Sequence, residues 1–111
     1  PLVILCHGGN DFLRRLDQGT TFRNLEAMVE MIKARGADVV LVGVPKLGFG
    51  LAVPTFYATL AETRDIPFEG ESLVDLLGDN SMKSDAIHPN ATGYRLMAEA
   101  IYQVISKAQR K

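Results

Sequence analysis

Two unbroken apolar runs constrain this chain more than any other feature. Residues 2–6 read Leu-Val-Ile-Leu-Cys and residues 39–44 read Val-Val-Leu-Val-Gly-Val, with no polar side chain in either. A strand with one face in water alternates apolar and polar residues, so continuous aliphatic runs predict strands buried on both faces, as in a parallel sheet. The first run ends in His7-Gly8-Gly9-Asn10-Asp11 and the second at Pro45, both turn-forming. Between them, Phe22, Leu25, Met28, Val29 and Ile32 recur at the spacing of one helix face, which predicts a helix over residues 21–35. Thr20 or Thr21 is its expected N-cap. Lys33 and Arg35 suit its carbonyl end, and Gly36 supplies the left-handed stop.

The remaining chain continues the alternation. Residues 46–53, with Gly48 and Gly50, read as a surface loop, and Pro54 suits the first turn of a helix running to about Arg64. Residues 66–68 are a short strand candidate whose pairing Pro67 restricts. Residues 71–77 fit one or two helical turns, and residues 80–90 form a polar connection. Residues 91–107 fit a final helix with Tyr94, Met97, Ala98, Ile101 and Ile105 on its apolar face. Strands alternating with amphipathic helices predict an α/β fold, a parallel sheet covered on both faces, in a single domain spanning residues 1–111. Three visible strands are few for such a sheet. The chain opens directly on an apolar strand, which points to residues upstream of Pro1.

Composition removes several function classes. Twelve Lys and Arg against thirteen Asp and Glu leave a formal charge of -1, with no basic excess for an electrostatic nucleic-acid binder. One cysteine forms no internal disulfide and builds no zinc site. No apolar run approaches the ~18 residues of a membrane-spanning helix. Glu69, Glu71, Asp79 and Asp85 have no metal-ligand spacing, and no metal or cofactor is implied.

Chemistry gathers in two loops. In open parallel sheets functional groups collect beyond the C-terminal ends of strands. There, Gly8 and Gly9 permit a sharp turn, and Asn10 presents a carboxamide donor suited to a developing oxyanion. The competing reading is a plain strand-to-helix turn with an Asx cap. Further on, Asp85-Ala86-Ile87-His88-Pro89-Asn90 sets a carboxylate three residues before an imidazole. Asp85 can accept from Nδ1–H of His88 and leave Nε2 as a general base. The alternative is a surface His, with Asn90 capping the last helix.

Taken in order, Gly8-Gly9-Asn10-Asp11 at a strand end and Asp85-x-x-His88-Pro89 before a C-terminal helix resemble the GDSL/SGNH hydrolase family. The likeness continues in Asn90, Gly93, Tyr94 and the strand end at residues 42–45, and it covers essentially the whole chain. It looks closest to the bacterial thioesterase I, arylesterase and lysophospholipase branch. The resemblance implies a three-layer α/β/α flavodoxin-like sheet, present here from about its third strand onward. It implies His88 as catalytic base, Asp85 as its orienting carboxylate, Asn10 as oxyanion donor, and Gly8 and Gly9 as the turn presenting it. The family's Gly-Asp-Ser nucleophile block is absent: Ser72, Ser81, Ser84 and Ser106 lie in no such motif. The nucleophile is therefore expected upstream, and this chain alone is expected to be inert.

The resemblance implies a small acyl ester or thioester as substrate. It also implies that an N-terminal segment of the same protein, or another chain, covers the edge of the first strand. Leu47, Phe49 and Leu51, between glycines near the strand ends, either bind an acyl chain or pack on their own domain. Periplasmic, secreted and cytoplasmic bacterial locations all remain open. Two rival functions stand beside the hydrolase: a binding module without a nucleophile, and a flavodoxin-like phosphate or nucleotide binder using the Gly8-Gly9 turn. The latter lacks a Gly-x-Gly-x-x-Gly or Walker pattern.

Overall fold

Both apolar runs are strands, and they pair with each other. The structure, a computed structural model, describes residues 1–8, 17–46, 52–83 and 88–109. Strands β1 (Leu2–Leu5), β2 (Asp38–Val42) and β3 (Phe68–Glu69) form one sheet in that order. All are parallel, with Val3 opposite Val39, Leu5 opposite Leu41, and Leu41 opposite Phe68. Parallel neighbours need crossovers. Helix α1 (Gln18–Ala34) lies between β1 and β2, and α2 (Phe56–Arg64) between β2 and β3. Helix α3 (Ser72–Leu77), a 3₁₀ turn at Asn80–Met82 and α4 (Ala91–Gln109) complete the described chain.

Alternation along β2 sorts its side chains between two cores. Val39 and Leu41 pack with Leu25 and Val29 of α1 and with Tyr57, Leu60 and Ala61 of α2. Val42 turns the other way, onto Leu73 of α3 and Ile101 of α4, with Met97 and Ile105 alongside. The result is the expected three layers, helices on both faces of a parallel sheet. Burying each large aliphatic side chain contributes about 1.5–3 kcal/mol, so β2, with Val39 to Val42 between 0% and 2% exposed, anchors both layers.

The two strands differ in burial although their sequences look alike. Expected burial on both faces holds for β2 and not for β1, where Leu2 is 46% and Ile4 49% exposed. Among the described residues β1 pairs with β2 alone, so its outer edge and one of its faces lack cover. Cys6, the last residue of the first apolar run, is exposed as well.

Helix ends also depart from expectation in places. Helix α1 begins at Gln18, and its N-cap is Asp17 rather than Thr20 or Thr21. Asp17 caps through its carbonyl, which accepts from the Thr20 and Thr21 amides at 3.1 Å each. Gly36 closes α1 with φ +79°, the left-handed geometry that favours glycine. On α4, Tyr94 and Ala98 are exposed; the buried positions are Gly93 and Ile101.

Helix direction orients the layers relative to the strand ends. Ile105, Ala108 and Gln109 of α4 share a recess with Leu2, Asp38 and Lys33, which lie at the strand starts and at the α1 C-terminus. Helix α4 therefore runs against the strands, and its N-terminus, ~28 Å away at 1.5 Å per residue, lies toward their C-terminal ends. At the far pole Lys33 Nζ donates to the Arg64 carbonyl at 2.6 Å. The Arg64 guanidinium pairs with Glu30 and, at 3.1 Å, with Glu26, tying the ends of α1 and α2 together.

Candidate active site

Gly8 follows β1 at the pole where the strands end. It is buried and has φ +126°, a backbone conformation that a side chain would strain. Leaving the sheet here strands the backbone groups that a ladder would otherwise satisfy. One of them, the carbonyl of His7, accepts a 2.6 Å hydrogen bond from the Tyr57 hydroxyl. Tyr57 comes from α2, is 0% exposed, and stacks on Phe56 with ring centroids 4.6 Å apart. Phe56 in turn meets Phe22 of α1 edge-on at 6.1 Å. The apolar core thus delivers one buried hydroxyl to the end of the strand that precedes Gly8-Gly9-Asn10.

The second loop is fastened at both ends. Lys83 and Pro89 form an antiparallel bridge across it, and the Asn90 amide donates to the Met82 carbonyl at 2.8 Å. The Asn90 side chain works in two directions. Its Oδ1 accepts from the Gly93 amide at 2.9 Å, capping α4, while its Nδ2 donates to the Ser81 carbonyl at 2.8 Å. The 3₁₀ turn has its own cap, since Asp79 Oδ1 accepts from the Ser81 hydroxyl at 2.7 Å and the Ser81 amide at 2.9 Å. Those bonds, the hydroxyl first, hold the Asp79 carboxyl below the usual carboxylate range.

Gly93 permits a very close approach to the neighbouring backbone. A Cβ there would lie 2.2 Å from the Met82 carbonyl oxygen and 2.9 Å from the Pro89 ring. Helix α4 consequently sits directly on the backbone that carries the His88 loop. His88 itself is exposed, immediately before Pro89 and the α4 N-terminus.

Two of the expected site residues, Gly8 and His88, are placed, and both belong to the pole at the strand C-terminal ends. Gly9, Asn10, Asp85, Leu47, Phe49 and Leu51 lie outside the described residues. The reading of Asn90 as a helix cap holds, and its second bond to Ser81 adds a tie that capping alone does not require. Sequence reasoning missed Tyr57. An aromatic residue on an apolar helix face reads as core, and nothing local marks its hydroxyl as the partner of a carbonyl fifty residues away.

The same architecture occurs in solved hydrolases. The psychrotrophic esterase EstA of Pseudoalteromonas superposes with a TM-score of 0.78 at 20% identity, over 98% of this chain and 63% of EstA. A GDSL-like lipase of Bacteroides thetaiotaomicron gives 0.74 at 24% identity, over 96% of this chain and 62% of its own. These likenesses show a shared fold, a parallel sheet with helices on both faces. Sequence identifies the family: the GDSL-like Lipase/Acylhydrolase profile matches residues 1–96, and this chain belongs to that family. Esterase TesA of Pseudomonas aeruginosa is 30% identical over 112 aligned positions, covering 94% of this chain and 55% of TesA. The chain thus spans little more than half the length of that relative.

Proposed function

We propose that this chain is the C-terminal, catalytic-loop portion of a serine ester hydrolase acting on acyl esters or thioesters. The observation that supports the reading is that the buried, positive-φ Gly8 and the start of α4 after His88 both lie toward the C-terminal ends of the strands, within a chain of this family. In this reading a serine from the upstream segment attacks the acyl carbonyl. As its Oγ–C bond forms, the hydroxyl proton passes to His88, which Asp85 orients, and Asn10 donates to the oxyanion. Collapse breaks the carbonyl bond to the leaving alcohol or thiol, which takes the proton from His88. Water then repeats the sequence on the acyl-enzyme. Leu47, Phe49 and Leu51 are proposed to receive the acyl chain. No step calls on a metal or cofactor.

The upstream segment is also the proposed cover for β1. Its open edge is flanked by an apolar groove of about 380 Å³ lined by Val3, Leu5, Met28, Met31 and Ile32. Added strands from the same polypeptide would pair with that edge and fill the groove. A fluorophosphonate probe should therefore label the parent protein and leave residues 1–111 alone unlabelled. Labelling of the isolated chain on one of its own serines would refute the assignment of the nucleophile. In the parent, Asn10→Ala should lower kcat by roughly 10²–10³. A folded Asn10→Ala protein that hydrolyses esters at the parental rate would remove Asn10 from the site.

A further inference from the structure

We infer that Tyr57 is a positioning residue for the oxyanion-donor turn, acting through the carbonyl of His7. The inference rests on the hydrolase reading above and extends it to a side chain outside the catalytic set. Its basis is geometric. The hydroxyl of a tyrosine 0% exposed donates at 2.6 Å to the carbonyl that immediately precedes Gly8, where β1 leaves the sheet. Gly8, which follows this carbonyl, has a φ of +126°, so the chain changes direction here. Whatever fixes Asn10 against a developing charge must fix this segment first. A buried hydroxyl held by ring stacking is suited to that task, because its position is set by packing rather than by the turn.

Alternative roles for the hydroxyl are less consistent with the same facts. An aromatic needed only for its volume carries no hydroxyl, and burying one without a partner is unfavourable, so phenylalanine would fill the space more simply. The hydroxyl does reach a partner, and that partner is neither solvent nor a group within α2. It is the carbonyl of His7, immediately before Gly8. Tyr57 touches no reacting atom in this scheme. It sets the angle at which the turn leaves β1.

The test is Tyr57→Phe in the parent protein, alone and combined with Asn10→Ala, with ester hydrolysis and amide exchange both measured. Loss of the tie should lower kcat about tenfold, with KM within twofold and the pH profile unmoved. In the Asn10→Ala background the same change should have no further effect on kcat, because the group it positions is gone. The amides of Gly8 and Gly9 should exchange about tenfold faster in Tyr57→Phe, while those of Val40 and Leu41 are unchanged. An equal loss of kcat in both backgrounds would show a general structural role and overturn the inference. So would an unchanged kcat or unchanged exchange at the turn. Should the wild-type parent hydrolyse no ester, the hydrolase reading fails on its own account. Turn exchange then still decides whether Tyr57 holds this segment.

Discussion

Replacing Gly93 with alanine sets two effects of opposite sign against each other. Glycine within a helix is unfavourable, and alanine there gains up to about 1 kcal/mol from propensity alone. At this position the added methyl would lie 2.2 Å from the Met82 carbonyl oxygen and 2.9 Å from Pro89 Cβ, and both neighbours sit in constrained backbone. Relieving such overlap costs about 1–3 kcal/mol. The movement must also lengthen the Asn90 bonds to Met82 and Ser81, each worth about 1 kcal/mol. The clash outweighs the propensity gain, giving a net loss of about 1–3 kcal/mol and a fall in Tm of roughly 5 °C. Thermal unfolding of the parent protein and its Gly93→Ala variant, followed by circular dichroism, measures the difference. A variant as stable as the parent, or more stable, would show that α4 does not bear on the His88 loop as described. Because that loop carries His88, kcat should fall with Tm under conditions where the variant is fully folded.

Other expectations follow from neighbouring contacts. Asn90→Ala removes both the α4 cap and the tie to Ser81, so it should cost about 1–2 kcal/mol by denaturant unfolding; a cost under about 0.5 kcal/mol would mean that one of the two bonds is absent in solution. Leu41→Ala empties a fully buried position of β2 and should cost about 2–5 kcal/mol in the same assay, with a surface-like value counting against the β2-centred core. A depressed carboxyl favours the folded state above the ordinary carboxylate range and loses that contribution as pH falls through the lowered value. The Ser81 amide resonance should therefore titrate below the usual aspartate midpoint, and Asp79→Asn should abolish the transition; a midpoint at or above the usual value would refute the cap.

Much of this fold is legible because it rests on side-chain periodicity. The helix face from Phe22 to Ile32 and the Gly36 stop are encoded by neighbours in sequence and appear where expected, while the second apolar run forms β2 only as far as Val42. Strand β3 is harder to see: Pro67 interrupts the pattern, and only Phe68 and Glu69 extend along β2. Helix α4 departs from expectation at Tyr94, which is exposed, because hydropathy cannot show that a helix packs through its bare backbone at Gly93. Burial on both faces of β1 failed for a different reason. An apolar run records what a strand is suited to touch, whereas burial depends on the neighbours present. Within the site, glycine and histidine in short motifs drew attention to Gly8 and His88. The Tyr57 and Asn90 ties depend on how distant segments meet, which no local pattern reports.

The open side of β1 also determines where this fold can be divided. Parallel strands are joined by crossovers rather than tight turns, so if an upstream strand covers β1 as proposed, dividing the protein there would break a ladder of backbone bonds and no hairpin. The two pieces would be complementary, each holding an edge that the other satisfies. Their reunion would be bimolecular, and the fraction assembled would follow mass action. Activity recovered from such halves would rise more steeply than linearly with dilution reversed, so that concentration itself becomes the control.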